Sequence, residues 1–186
     1  MSPNTVTLFF ALLALVCNAF VIGVAVAWLV RHREPALWNA VLDALGPSAL
    51  TLAAVIAVVT TAGSLYLSEV AHFPPCQLCW YQRIGMYPLA IVLPIAALRR
   101  DTRAWIYPLA LALCALPISV YHVLLERYPS LEAGTCDVTN PCSIVWVRHF
   151  GFVTIPYMAA SAFAAIAVAM GLTAHARRKE HTHVHA

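Results

Sequence analysis

Residues 73–98 read FPPCQLCWYQRIGMYPLAIVLPIAAL. Two cysteines, Cys76 and Cys79, stand three positions apart, and an apolar run begins directly behind them. Pro74 and Pro75 stop any helix before Cys76, so the thiol pair sits at the mouth of the helix that follows. A hydrocarbon core about 30 Å thick takes about 20 apolar residues in a helix. The run over 80–98 meets that length, and so do four others, at roughly 6–30, 48–70, 104–125 and 152–173. Prolines inside the last three spans, Pro88, Pro94, Pro108, Pro117 and Pro156, read as bends, which membrane helices tolerate.

Composition agrees. Of the 186 residues, 62% are hydrophobic and 10% charged, against roughly 25% charged in a soluble domain. The chain lacks the polar residues to cover a water-facing surface. The expected fold is an all-α integral membrane helical bundle with five spans. Nucleic-acid binding is excluded as a reading, because the few basic residues lie in short clusters between apolar runs.

Those clusters set an expected direction. Arg31 and Arg33 follow the first span, Arg99, Arg100 and Arg103 separate the third and fourth, and Arg177, Arg178 and Lys179 follow the fifth. Five spans put all three groups on one side, which the positive-inside rule makes cytoplasmic. No Lys or Arg precedes the first span and RHR follows it, the pattern of an uncleaved helix with its N-terminus outside rather than of a signal peptide. Between the first two spans, Leu37, Trp38, Val41, Leu42 and Leu45 share one helical face, which predicts a short amphipathic helix on the inner surface.

In this topology Cys76 and Cys79 lie in the first outer loop, and Cys136 and Cys142 in the second, over about 126–151. Cys17 and Cys114 fall inside spans, where free cysteine packs as a small hydrophobe. Two structural disulfides would suit an oxidising outer face. The Cys-x-x-Cys spacing argues against that for the first pair, since so small a ring restrains little chain entropy. At a helix N-terminus the free N–H groups and the dipole favour a thiolate, and Arg83, one turn beyond Cys79, adds positive charge. A four-cysteine zinc site is a weaker fit, because Cys-x5-Cys is loose for a zinc knuckle.

Thiol oxidation releases two electrons. No nucleotide-binding glycine motif and no haem-type Cys-x-x-Cys-His occurs in the sequence. The first pair opens onto the lipid, so an acceptor dissolved in the membrane fits, and a quinone is the abundant one. Trp80, Tyr81 and Arg83 are the candidate quinone-binding residues. The competing readings are an interfacial aromatic belt for Trp80 and Tyr81, and snorkelling to lipid headgroups for Arg83.

Four stretches resemble the disulfide bond formation protein B (DsbB) family, in its BdbC-like branch: PCQLCWYQRI, the preceding GSLYLSE, the loop CDVTNPCSIVWV and the helix opening GFVTIP. The resemblance covers residues 48–173. It implies a four-helix membrane domain over 48–173; outside that pattern lie an extra N-terminal transmembrane helix and surface segment over 1–47 and a cytoplasmic His-rich tail over 174–186. It also implies a thiol:quinone oxidoreductase of the bacterial inner membrane, with its cysteine loops facing the periplasm or cell exterior. The implied partner is a DsbA-like thioredoxin-fold dithiol protein, and the implied cofactor is ubiquinone or menaquinone. By position, Cys79 would be the quinone-side thiolate and Cys76 would exchange with the second pair. Cys136 would form the mixed disulfide with the partner, Cys142 would resolve it, and Arg83 would assist the quinone. The sequence departs from the family pattern in its first helix, in the short Cys136–Cys142 spacing, and in Gln82, where some members carry an acid.

Two rival functions stay open on sequence. One is a non-enzymatic membrane protein with disulfide-clamped loops. The other is a vitamin K epoxide reductase-like enzyme, in which the partner-side pair comes earlier in the chain; here the Cys-x-x-Cys comes first. His122, near the outer end of the fourth span, reads as a satisfied interfacial histidine, with a proton relay as the sharper alternative. His149 in the second outer loop is uninformative, and Glu69 near the end of the second span reads as reaching water. The tail histidines His181, His183 and His185 read as part of a disordered terminus, with metal binding as the alternative.

Overall fold

The computed structural model describes residues 3–184 except 133, 135 and 138, with side chains to Lys179. Five long helices run in chain order: α1 (Pro3–Leu29), α2 (Pro35–Leu65), α3 (Gln77–Leu98), α4 (Ile106–Arg127) and α5 (Ile155–Val184). Each is long and apolar enough to cross a membrane. A two-stranded hairpin, β1 (Arg148–His149) and β2 (Val153–Thr154), leads into α5. Its turn places Phe150 and Gly151 at φ of 51° and 78°, a left-handed backbone that glycine adopts without strain.

Helices α2 to α5 close into a four-helix bundle, and α1 packs outside it, mainly against α5 and less against α2. Phe163, Leu89, Leu93, Ile166 and Met170 fill the bundle centre. The outer surface is as apolar as the core: Val16, Ile84, Ile91, Leu98 and Tyr107 are all exposed. Such a surface is stable only in lipid, where helices associate through close packing rather than by escape from water. Small residues supply the packing, with Ala53, Ala57, Ala112, Ala165 and Ala169 fully buried. One close approach is at Gly85, where an added Cβ would stand 2.7 Å from Ala115 Cβ across the α3–α4 contact. Gly85→Ala is expected to cost about 1–3 kcal/mol through overpacking, read as a lower unfolding midpoint in detergent. Gly23→Ala is the control, since a Cβ there meets nothing within 4 Å.

The expected separate amphipathic helix between the first two spans is corrected. It is the first part of α2, which starts with Pro35 in its first turn and continues through Pro47 without interruption. Proline opens a helix readily because its missing N–H is unpaired there anyway. The apolar face that the pattern revealed packs on the end of α5: Leu42 is buried, Trp38 meets His175 edge to face at 5.8 Å, and Lys179 Nζ donates to Asp43 at 2.7 Å. The predicted disordered tail is corrected too, because the α5 backbone stays helical to Val184. The side chains of His181 and His183, and all of His185, lie outside the described residues.

Candidate functional site: a four-cysteine junction beside a membrane cavity

The site gathers at one end of the bundle. Cys76 caps α3, with extended backbone and a sulfur that accepts from the Cys79 N–H at 3.4 Å. The two sulfurs of this pair are 2.8 Å apart as free thiols. Cys136 and Cys142 are joined in a disulfide, with Cα atoms 5.9 Å apart. All four cysteines belong to one apolar cluster with Leu78, Ile118, Tyr121 and Leu125. With the second pair bonded to itself, its two sulfurs are not free thiolate ligands.

His122 of α4 joins the pairs. Its ring is buried, with Nε2 at 3.1 Å from the Cys142 carbonyl and 3.7 Å from Cys76 Sγ. The carbonyl can only accept, so Nε2 carries the proton, and Nδ1 accepts from Gln82 Nε2 at 2.9 Å. Gln82, also buried, fixes that tautomer from α3. Two further contacts hold the loops together: Asn140 Nδ2 donates to the Pro75 carbonyl at 3.2 Å, and Phe73 stacks on Trp146 at 5.4 Å. The Cys136 loop is thus seated directly on the Cys-x-x-Cys motif.

Cys76 stands just before the span, and its thiol is pushed down from the usual 9.0 to about 4. The hydrogen bond from the Cys79 thiol is the main cause, with His122 and the Cys79 N–H adding to it against burial. The direction of that shift favours the thiolate form of Cys76.

Behind this junction lies a cavity of about 450 Å³. Cys79, Gln82, Arg83 and Ser64 give it a polar end, and the rest is apolar, reaching Leu52 and Val55 on α2 and Phe20 on α1. The α2 lining residues 52, 55, 56, 59, 60, 63 and 64 follow a single helical face, continued by Leu67 in the π-helical turn Tyr66–Val70, so the cavity is a slot about 20 Å long at 1.5 Å per residue. Arg83 is held at its polar end: Nε donates to Ser64 Oγ and a terminal N–H to the Ser64 carbonyl, both at 3.1 Å. Its guanidinium lies over the Trp80 ring at 5.0 Å.

Arg83 is thus engaged inside the protein, not snorkelling. Trp80 and Tyr81, the other candidate quinone-binding residues, are both exposed and do not line this cavity, whereas Gln82, Arg83 and Met86 do. Ser64, Gln82 and His122 are the residues that sequence reasoning undervalued. Their common signal was a polar side chain near the same end of three different spans. His149 ties the hairpin to α1 through Thr7 Oγ1 at 3.0 Å, and Glu69 is exposed.

A multi-pass helical membrane protein with two converging cysteine pairs belongs to the class built for thiol–disulfide exchange. Residues 47–174 match the model of the family described as disulfide bond formation protein DsbB. This chain belongs to that family. It is 44% identical over 119 residues to disulfide bond formation protein C of Bacillus subtilis (strain 168), an alignment covering 63% of this chain and 86% of that protein. It is 40% identical over 121 residues to the probable disulfide formation protein of Oceanobacillus iheyensis, covering 64% and 83%. The SPbeta prophage-derived disulfide bond formation protein B of Bacillus subtilis (strain 168) is 40% identical over 107 residues, covering 57% and 72%. No solved structure matches the chain. The protein is accordingly a multi-pass membrane protein of disulfide bond formation.

Proposed function

We propose that the protein is a thiol:quinone oxidoreductase that reoxidises an extracytoplasmic, DsbA-like thioredoxin-fold dithiol protein. It would sit in a bacterial cytoplasmic membrane with its cysteine end facing the periplasm or cell exterior. The observation that carries this reading is that the Cys76–Cys79 pair faces two ways. Cys79 opens on the cavity, whereas Cys76 is turned to His122 and the Cys142 loop.

Each step is thiolate attack on a disulfide sulfur. A partner thiolate attacks Cys136, the less buried member of its pair, and Cys142 leaves as thiolate. The second partner thiol then attacks its own mixed-disulfide sulfur, and the partner leaves oxidised. Cys142 attacks Cys76 within the Cys76–Cys79 disulfide, and Cys79 leaves as thiolate. Cys136 attacks Cys142, which restores the Cys136–Cys142 bond and frees Cys76. This step leaves Cys136–Cys142 bonded and Cys76 and Cys79 as free thiols. A quinone supplies an acceptor for two electrons and two protons, and leaves as quinol. Cys79 and Arg83 would meet its ring at the polar end of the slot, the apolar length would take its tail, and Cys76 would close the disulfide on Cys79.

The test uses purified, pre-reduced protein without oxygen. Adding a short-tailed quinone should give quinol in step with loss of the Cys76 and Cys79 thiols, followed by absorbance and mass-tag alkylation. Stable thiols beside unreduced quinone would overturn the proposal and return the second pair to a structural role. Arg83→Gln is expected to raise the quinone KM by about tenfold or more, the scale of one hydrogen bond from a charged group, while exchange between the two cysteine pairs changes little. Equal loss in both would make Arg83 structural.

A further inference from the structure

The family match begins at residue 47, so α1 lies wholly outside it. Yet α1 does not stand apart from the cavity. Phe10, Leu13, Ala14, Cys17 and Phe20 all line it, opposite the α2 face and beside Cys79 and Arg83. These positions run along one side of α1 for about 15 Å. Without them the slot would open sideways into lipid between α2 and α5, the two helices on which α1 packs.

The seat of α1 is specific. A Cβ on Gly63 would fall 2.5 Å from the Phe10 ring, so the ring lies flush on the α2 backbone next to Ser64, the residue that holds Arg83. Two polar ties fix the helix at different depths. Asn18 Nδ2 donates to Tyr157 Oη on α5 at 2.8 Å, and Thr7 Oγ1 meets His149 Nε2 on the hairpin at 3.0 Å. Within a hydrocarbon environment such side-chain bonds each favour one helix register.

We infer that α1 is the fourth wall of the quinone site: it narrows an open groove on the four-helix bundle into a slot and sets how the ring and the first part of the tail fit. This rests on the proposed quinone reaction. Phe10 bounds the end of the slot nearest Ser64 and Arg83, and Leu13, Ala14 and Cys17 bound its middle. These are positioning and specificity residues, because the electrons pass through Cys79.

The test uses the full-length protein in detergent. Cys17 lines the slot, whereas Cys114 is exposed on α4 outside it. A saturating short-tailed quinone should slow alkylation of Cys17 by a small maleimide about tenfold, read peptide by peptide, and leave Cys114 unchanged. Ala14→Phe, which fills the slot from α1, should raise the quinone KM about tenfold with little change in the rate of exchange between the cysteine pairs. Phe10→Ala should shift preference toward quinones with bulkier ring substituents. If the protein reduces quinone normally but Cys17 and Cys114 respond alike and Ala14→Phe keeps the wild-type KM, the role of α1 is overturned while the quinone reaction stands. If the wild type reduces no quinone, both fall together.

Discussion

Cys79→Ser is expected to reduce quinone at no more than background, a loss of at least about a thousandfold, the scale seen when the reacting nucleophile of an enzyme is removed. Cys79 is the sulfur of its pair that lines the cavity, so no other thiol of the pair can reach an acceptor placed there. The variant should still exchange Cys136–Cys142 with a reduced dithiol protein, because that disulfide and its loop contacts do not pass through Cys79. Cys76→Ser should fail differently. Its Cys79 faces the cavity but has no neighbour with which to close a disulfide, so a full two-electron turnover stops. Quinol yield per protein, measured without oxygen alongside mass-tag counting of each cysteine, separates the two. Full quinone turnover in either variant would end the assignment of this pair as the electron exit.

His122→Phe should slow transfer between the two pairs by about a hundredfold, at the lower end of what a positioned acid–base group contributes. The ring occupies one point between both pairs, with Nε2 near Cys142 O and Cys76 Sγ. Phenylalanine keeps much of the volume but loses the tie to the loop and the bond to the sulfur. A pH profile distinguishes this from loss of fold. Cys76 is depressed from 9.0 to about 4, first by Cys79 and then by His122, so wild-type Cys76 should be alkylated at a nearly constant thiolate fraction down to about pH 5. Removing His122 takes away part of the stabilisation of the charged form, so the midpoint rises and reactivity at mildly acid pH falls. An unchanged profile would mean that His122 only spaces the helices.

Much of this architecture was readable before any coordinates. Five apolar runs gave five helices because length and hydropathy alone decide whether a segment can cross lipid. Pro74 and Pro75 placed the start of α3 at the thiol pair, and Cys76 is its cap. Two cysteine pairs at one end followed from counting spans. Local pattern leaves other things open. The apolar face containing Leu42 and Trp38 packs on α5 rather than forming a separate surface helix; periodicity reports that a face is covered and not by what. Trp80 and Tyr81 adjoin Cys79 in sequence, but successive residues on a helix point about 100° apart, and it is Gln82 and Arg83 that line the cavity.

The sequence by itself determined the class of molecule, the number of its spans, and the chemistry available at their ends, because these depend on local composition and on residues close in the chain. The tertiary structure alone decided which polar groups meet. His122 and Cys76 are 46 positions apart, Arg83 and Ser64 are 19, and Asn18 and Tyr157 are 139. No local preference encodes such contacts; they exist because four helices bring their small-residue faces together and a fifth closes the gap. The same packing turned α1 from an unassigned extra span into a wall of the cavity.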